Sequence, residues 1–322
     1  MPSFLEQIGV EYPVVQAGMG GGLATHALAA AASEAGGLGQ IGILDPQTLR
    51  AELARARELT RRPLAINLIV PFATREHWRT ADAADAVVTH WDSRPRRRTR
   101  APWIHTVGSP EEARAAARAG ADAVIAQGRE AGGHVRGTEP ALTLLERVRA
   151  VLPENFPVLL AGGIAAADDV RAALDAGAVA AVAGTAFLAT DESSAHPGYK
   201  RRLVEGEATL LTELFGMGWP HAPHRVLPNA ATERWIRGDE RGPTSLRGLH
   251  AVLSPAARLV PVRAQLRLAN RPRSGPLDLS PVAPTAEMDE ATLDTHPLYA
   301  GETVARVREI RPAARVVADL VP

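Results

Sequence analysis

The sequence contains no cysteine. Disulfides, thiolate zinc sites, cysteine-ligated iron–sulfur clusters and a cysteine nucleophile are therefore excluded. Lysine is nearly absent as well: Lys200 stands alone, and every other Lys/Arg position is arginine. Beside the abundant alanine, this bias reads first as a property of the coding genome, although arginine also gives more multidentate surface pairing. Neither sign of charge is in excess, because 36 Lys+Arg balance 36 Asp+Glu. A neutral chain lacks the electrostatic footprint of a general nucleic-acid binder. No uninterrupted run of about 18 apolar residues is present, so no transmembrane helix is expected. The opening MPSFLEQIGVEYPVVQAGMG has no basic segment leading into an apolar core, so no secretory signal is expected. A cytoplasmic protein without a membrane or nucleic-acid partner is the default. What remains is ordinary globular composition, 46% hydrophobic and 22% charged over 322 residues. That length allows one barrel-sized domain or two smaller ones.

Short apolar runs bounded by Gly or Pro predict strands at Val14–Gln16, Leu38–Ile43, Leu64–Val70, Ala86–Trp91, Trp103–Val107, Asp122–Gln127, Val158–Ala161 and Ala178–Ala183. Ala/Leu/Arg/Glu-rich stretches between them predict helices at Leu23–Ala35, Pro46–Leu59, Arg75–Ala84, Pro110–Ala119, Ala141–Val151 and Ala167–Ala176. Ser109-Pro110-Glu111-Glu112 has the chemistry of a helix start: a capping hydroxyl, a proline at the first position and acids in the first turn. Such alternation points to parallel crossovers. An α/β fold follows, a (β/α)8 TIM barrel by strand count, with an open doubly wound sheet as the alternative. Residues 1–200 and 298–322 are assigned to the barrel. Residues 201–297, Pro-rich and without the alternation, are assigned to a cap or substrate-binding segment. Gly301–Leu320 is helix-like again and reads as the last barrel helix. The five arginines within Arg94–Arg100 read as a solvated loop.

In a barrel, chemistry sits on the loops that follow the strands. After the seventh and eighth strands these read Gly162-Gly163 and Gly184-Thr185. That is the usual barrel phosphate position, where glycine lets backbone N–H groups approach and a threonine hydroxyl adds a donor. The loop after the first strand, Gln16-Ala17-Gly18-Met19-Gly20-Gly21-Gly22, has too little side chain for catalysis but can lay backbone against a flat ring. It is not a dinucleotide GxGxxG, since no acid follows at the expected offset. Asn67, set among apolar residues, suits the polar edge of a heterocycle. Gln127 opens a glycine-rich loop that runs through Gly132-Gly133 to His134. A histidine so held after a barrel strand is well placed for acid/base work. His221 and His224, with proline between them and no third ligand nearby, make a poor metal site, and no metal is expected.

These stretches in order resemble the nitronate monooxygenase family, formerly 2-nitropropane dioxygenases. They are Gln16-Ala17-Gly18-Met19-Gly20-Gly21, Ala65-Ile66-Asn67-Leu68, Gln127 to His134, Ala161-Gly162-Gly163-Ile164 and Gly184-Thr185-Ala186-Phe187-Leu188. Ala195 to Lys200 and Leu298 to Gly301 add to the likeness. The resemblance implies an FMN enzyme on a TIM barrel. In it Gly18 and Met19 lie under the flavin, Asn67, Gln127 and Gly132 meet the ring, and Gly162, Gly163, Gly184 and Thr185 hold the phosphate. His134 is implied as the catalytic histidine that acts on or orients a nitro or nitronate group, with O2 as co-substrate and nitrite and a carbonyl compound as products. Two positions depart from the family pattern: Gly18 replaces a proline, and Val135 is an added residue between His134 and Arg136. FMN-dependent quinone and enoyl-acyl-carrier-protein reductases share most of these motifs, and a noncatalytic flavin-binding barrel is a further alternative. A homodimer is left open.

Overall fold

Eight short strands hydrogen-bond in parallel, and each sends alternate side chains into a shared interior. The computed structural model describes residues 4–92, 94–257, 275 and 278–322. The strands are β1 (Val14–Gln16), β2 (Gly39–Ile41), β3 (Leu64–Ile69), β4 (Ala86–His90), β5 (Trp103–Val107) and β6 (Ala123–Gln127). After β7 (Gly133–His134), which lies outside the ring, come β8 (Val158–Ala161) and β9 (Ala180–Ala183). Their spatial order is β2-β3-β4-β5-β6-β8-β9-β1. A parallel bridge from Val15 to Leu38 joins the two ends. Gln16 N donates to Leu38 O, and Leu38 N to Val14 O, both at 3.0 Å. The sheet therefore closes into a TIM barrel and is not an open doubly wound sheet.

Strand parity sorts the core into layers. Ala65 of β3 packs inside the barrel with Val15, Leu38, Val88, Ile104, Ile125 and Leu159, and Phe4 and Leu5 close the bottom. Ile66 and Leu68 of the same strand face outward against Leu49, Leu53 and Trp78 of the surrounding helices. Helix starts follow their local chemistry. Asp45 Oδ1 accepts from Thr48 N at 3.2 Å ahead of the helix Pro46–Leu59, and Ser109 Oγ accepts from Glu112 N at 3.3 Å ahead of Pro110–Arg118.

Two expectations need correction. The helix predicted across Gly301–Leu320 is a 3-10 turn at Glu302–Arg306, then an extended segment, then a helix only from Ala313 to Leu320. Pro312 stands at its cap and sets the start, since proline fits the beginning of a helix and not its interior. This last helix packs against His26–Glu34 and Ala167–Asp175, the place of the eighth barrel helix. The 201–297 region also holds more regular structure than its proline content signals: β10 (Leu210–Thr212), β11 (His224–Leu227) and helices Ala230–Trp235 and Thr244–Ala257. β11 pairs antiparallel with β10, with β12 (Leu298–Tyr299) and with β7, placing His224 opposite His134. His224 thus begins a strand, and His196 caps the helix Pro197–Glu205 by accepting from Gly198 N at 3.0 Å; neither is a loose loop residue. The single lysine is buried, donating from Nζ to Thr190 O at 2.6 Å.

Leu28, fully buried on the helix His26–Glu34, seals barrel to helix. Leu28→Ala should lower unfolding free energy by about 2–5 kcal/mol, read from urea titration, whereas Val252→Ala at an exposed position should change it by less than about 0.5 kcal/mol.

Candidate active site

The parity that fills the barrel also builds the floor of one large cavity at the C-terminal ends of the strands. Inward-facing positions at or near the C-terminal end of each strand contribute to it: Ala17 just after β1, Gln40, Asn67, His90, Thr106, Gln127, Ala161 and Val182. The cavity has a volume of about 1140 Å³. Gly18, Met19, Asn67, Gln127, Gly132, His134, Gly162, Gly163, Gly184 and Thr185 all line it, so the structure brings every sequence-predicted site residue to one place.

Buried polar atoms normally have partners. Here Asn67 Nδ2, Gln40 Oε1 and His134 Nε2 have none. Gln40 was missed in the sequence because it sits inside an apolar run read only as a strand. Gly18 is needed for Asn67 to approach: a Cβ at residue 18 would run into Asn67's own Cβ. The proline of the family pattern would not fit this packing without moving that amide. Gly163, at φ +80°, holds a backbone conformation that favours glycine and has open space where a Cβ would be. Gly184 likewise meets nothing closer than Ala17 at 3.7 Å. Thr185 Oγ1 accepts from Gly301 N at 2.9 Å, which leaves its hydroxyl proton free to donate to a ligand. Gly132 has a different constraint: a Cβ there would lie 2.6 Å from Gly301 N.

Gln127 holds the histidine loop. Its Oε1 accepts from Arg136 N at 2.8 Å, and its Nε2 donates to His134 O at 3.2 Å. Val135, the added residue, is buried and donates from its N–H to Pro223 O at 2.8 Å, tying the loop to the cap. Arg136 turns away from the cavity to pair with Glu112. Arg136 thus stands outside the cavity lining while His134 is part of it.

His134 stacks on Trp219 of the cap, ring centroids 3.9 Å apart and planes 19° apart. Its other ring neighbours are His224 at 5.1 Å, Tyr299 at 5.5 Å and Trp91 at 6.1 Å. Burial, then the neighbouring His224, holds its pKa well below the usual imidazole value. His224 is itself lowered to about 4 by burial, accepting at Nε2 from Phe215 N and donating from Nδ1 to Ala222 O. His90 on the cavity floor is lowered to about 3, by burial and then by His105. Among the described residues no group of side chains has the makings of a metal site.

The sequence profile of the nitronate monooxygenase family matches residues 2–94 and 93–322, essentially the whole chain. The chain belongs to the nitronate monooxygenase family. Among its relatives, the nitronate monooxygenase of Pseudomonas aeruginosa is 33% identical over 288 residues, 71% of this chain and 81% of the relative. The (3aS,4S,5R,7aS)-5-hydroxy-7a-methyl-1-oxo-octahydro-1H-indene-4-carboxyl-CoA dehydrogenase of Mycobacterium tuberculosis is 33% identical over 267 residues, 79% and 72%. Among solved structures, FabK of Thermotoga maritima superposes with a TM-score of 0.75 at 28% identity, covering 99% of this chain and 95% of that one. The nitroalkane oxidase of Streptomyces ansochromogenes gives 0.72 at 31% identity, covering 97% and 95%. This member of the nitronate monooxygenase family is an oxidoreductase built on the family barrel.

The four depressed histidines, His105 of β5 being lowered by burial as well, carry a stability consequence. Each has a folded pKa below its unfolded value, so under acid the unfolded chain takes up protons that the folded chain refuses. Stability should hold above about pH 6.5 and fall as pH drops toward 4. Urea midpoints measured from pH 7.5 to 5 test this; a midpoint constant down to pH 5 would contradict the buried neutral rings.

Proposed function

We propose that this protein is an FMN-dependent nitronate monooxygenase that oxidises alkyl nitronates or nitroalkanes with O2 to carbonyl compounds and nitrite. The observation that carries the reading is the unpartnered Nε2 of His134, in the same cavity as the unpartnered Asn67 Nδ2 and Gln40 Oε1. A flavin ring has both donor and acceptor edges, and these two amides offer one donor and one acceptor from adjacent strands. Met19 and Gly18 supply the surface beneath the ring. The backbone of Gly162, Gly163 and Gly184 and the hydroxyl of Thr185 suit the phosphate, at the position barrels commonly use for one. When bound, FMN supplies the redox chemistry, accepting electrons from the nitronate and passing them to oxygen.

The protein's own part is proton handling and placement. A neutral imidazole carries one lone pair and one N–H. At neutral pH, His134 can therefore take the α-proton of a nitroalkane or donate a hydrogen bond to a nitro oxygen. Gln127 fixes the loop that carries it, and the apolar rings around it keep water from the reacting carbon. The barrel would comprise residues 1–200 and 298–322, with 201–297 as a cap over its mouth, in a cytoplasmic enzyme.

The reductase alternative calls for groups that hold a nicotinamide dinucleotide outside the flavin site. Among the described residues of the 201–297 region, several arginines are otherwise engaged. Arg225 donates to Arg129 O and pairs with Glu302, and Arg241 pairs with Glu213. Arg234 lies over the Trp235 ring at 5.4 Å. Arg237 lines a separate small hollow.

Anaerobic mixing separates the two. Flavin absorbance should be lost rapidly with an alkyl nitronate and slowly with NADH or NADPH; fast, saturable loss with NADH and none with nitronate would overturn the function while leaving the fold. His134→Ala should keep FMN and lower turnover of a neutral nitroalkane by roughly 100-fold, with a smaller loss for the nitronate, which is already deprotonated. In the wild type the acid limb of the nitroalkane profile should lie below pH 6.5, because it is the neutral ring that works.

A further inference from the structure

The cavity exceeds the roughly 300–1,000 Å³ of an ordinary ligand site. The residues assigned to FMN occupy its barrel floor and the strand-end loops. The remaining wall carries an aromatic group drawn from three separate segments: Phe72 after β3, Trp91 after β4, and Trp219 from the 201–297 region. Trp219 is the common member. Its ring lies 5.0 Å from Phe72 and 5.2 Å from Trp91, both edge to face, besides stacking on His134. Trp91 holds φ at 65°, a conformation a bulky residue adopts only at a cost and one that clusters at ligand sites. The Arg136 guanidinium, 5.2 Å over its ring, helps fix it there. Asp45, Glu130 and Asp278 also line the cavity, and no lysine or arginine does so among the described residues.

We propose that Trp219 is a specificity-determining residue and that the wall it completes selects flat, apolar aromatic nitronates, the aryl ring lying against Phe72, Trp91 and Trp219 while the nitronate group meets His134. This deepens the monooxygenase reading and rests on it. Aromatic contacts favour such a ring over an alkyl chain of equal charge. The lining carboxylates disfavour a substrate with a second negative charge.

The test uses the flavin-loaded enzyme and three nitronates: those of phenylnitromethane and nitroethane, and the dianion of 3-nitropropionate. The aryl nitronate should exceed the dianion in kcat/KM by tenfold or more. Trp219→Ala should reduce the aryl-to-ethyl ratio by roughly three- to tenfold, mainly through KM, and Trp219→Phe should restore most of it. Nitrobenzene, which has no α-proton and forms no nitronate, should bind the wild type in calorimetric titration and bind Trp219→Ala at least threefold more weakly. Preference for the dianion, or an unchanged ratio and unchanged nitrobenzene affinity in Trp219→Ala, would overturn the proposal. Trp219-dependent binding of nitrobenzene without oxidation of any nitronate would retain the aromatic site and remove the monooxygenase reading instead.

Discussion

A buried polar atom without a partner is costly, and this barrel directs three of them at one space. Asn67 Nδ2, Gln40 Oε1 and His134 Nε2 sit in a cavity whose walls include glycine-rich loops and a group of aromatic rings. Burying such a group unpaired costs about 1–3 kcal/mol. Three such atoms facing one cavity are what the proposed flavin site rests on, since a bound ring would complete their hydrogen bonds. Their placement follows from closing eight strands: once parity puts Ala65 and Leu38 inside, Asn67 and Gln40 must point inward one layer higher.

The 201–297 region is joined directly to this arrangement. β11 runs against β7, so the strand carrying His134 is shared between barrel and cap. Pro223 receives the Val135 N–H, and Trp219 stacks on the imidazole. The added residue in the histidine loop hydrogen-bonds the 201–297 region, and the next residue, Arg136, pairs with Glu112 outside the cavity. Histidine position, imidazole burial and cap docking form a single linked feature.

Much of this was legible in the sequence. All eight strands and the six helices between them were readable because short apolar runs and capped, alanine-rich helices alternate with clear punctuation at residues such as Ser109-Pro110. Gln40 escaped notice and His90 reads from sequence only as a strand residue with a weaker claim than His134, although the alternation that singles out Asn67 places both on the floor. The parity rule, applied strand by strand, would have found them. Trp219 and β11 were not legible. Their roles at the site come from stacking on His134 and pairing with β7, 85 or more positions away, which no local periodicity records. The final helix was placed too early because the apolar spacing of Val304 and Val307 mimics a helix on the near side of Pro312.

The central claim is that the unpartnered amides and the glycine-lined end together make a site for a flavin mononucleotide. Calorimetric titration of the flavin-stripped protein with FMN, riboflavin and FAD tests it most directly. FMN should bind one to one and far more tightly than riboflavin, which lacks the phosphate, and more tightly than FAD, whose adenylate has no place at that end. Equal affinity for riboflavin and FMN, or tighter binding of FAD, would contradict it.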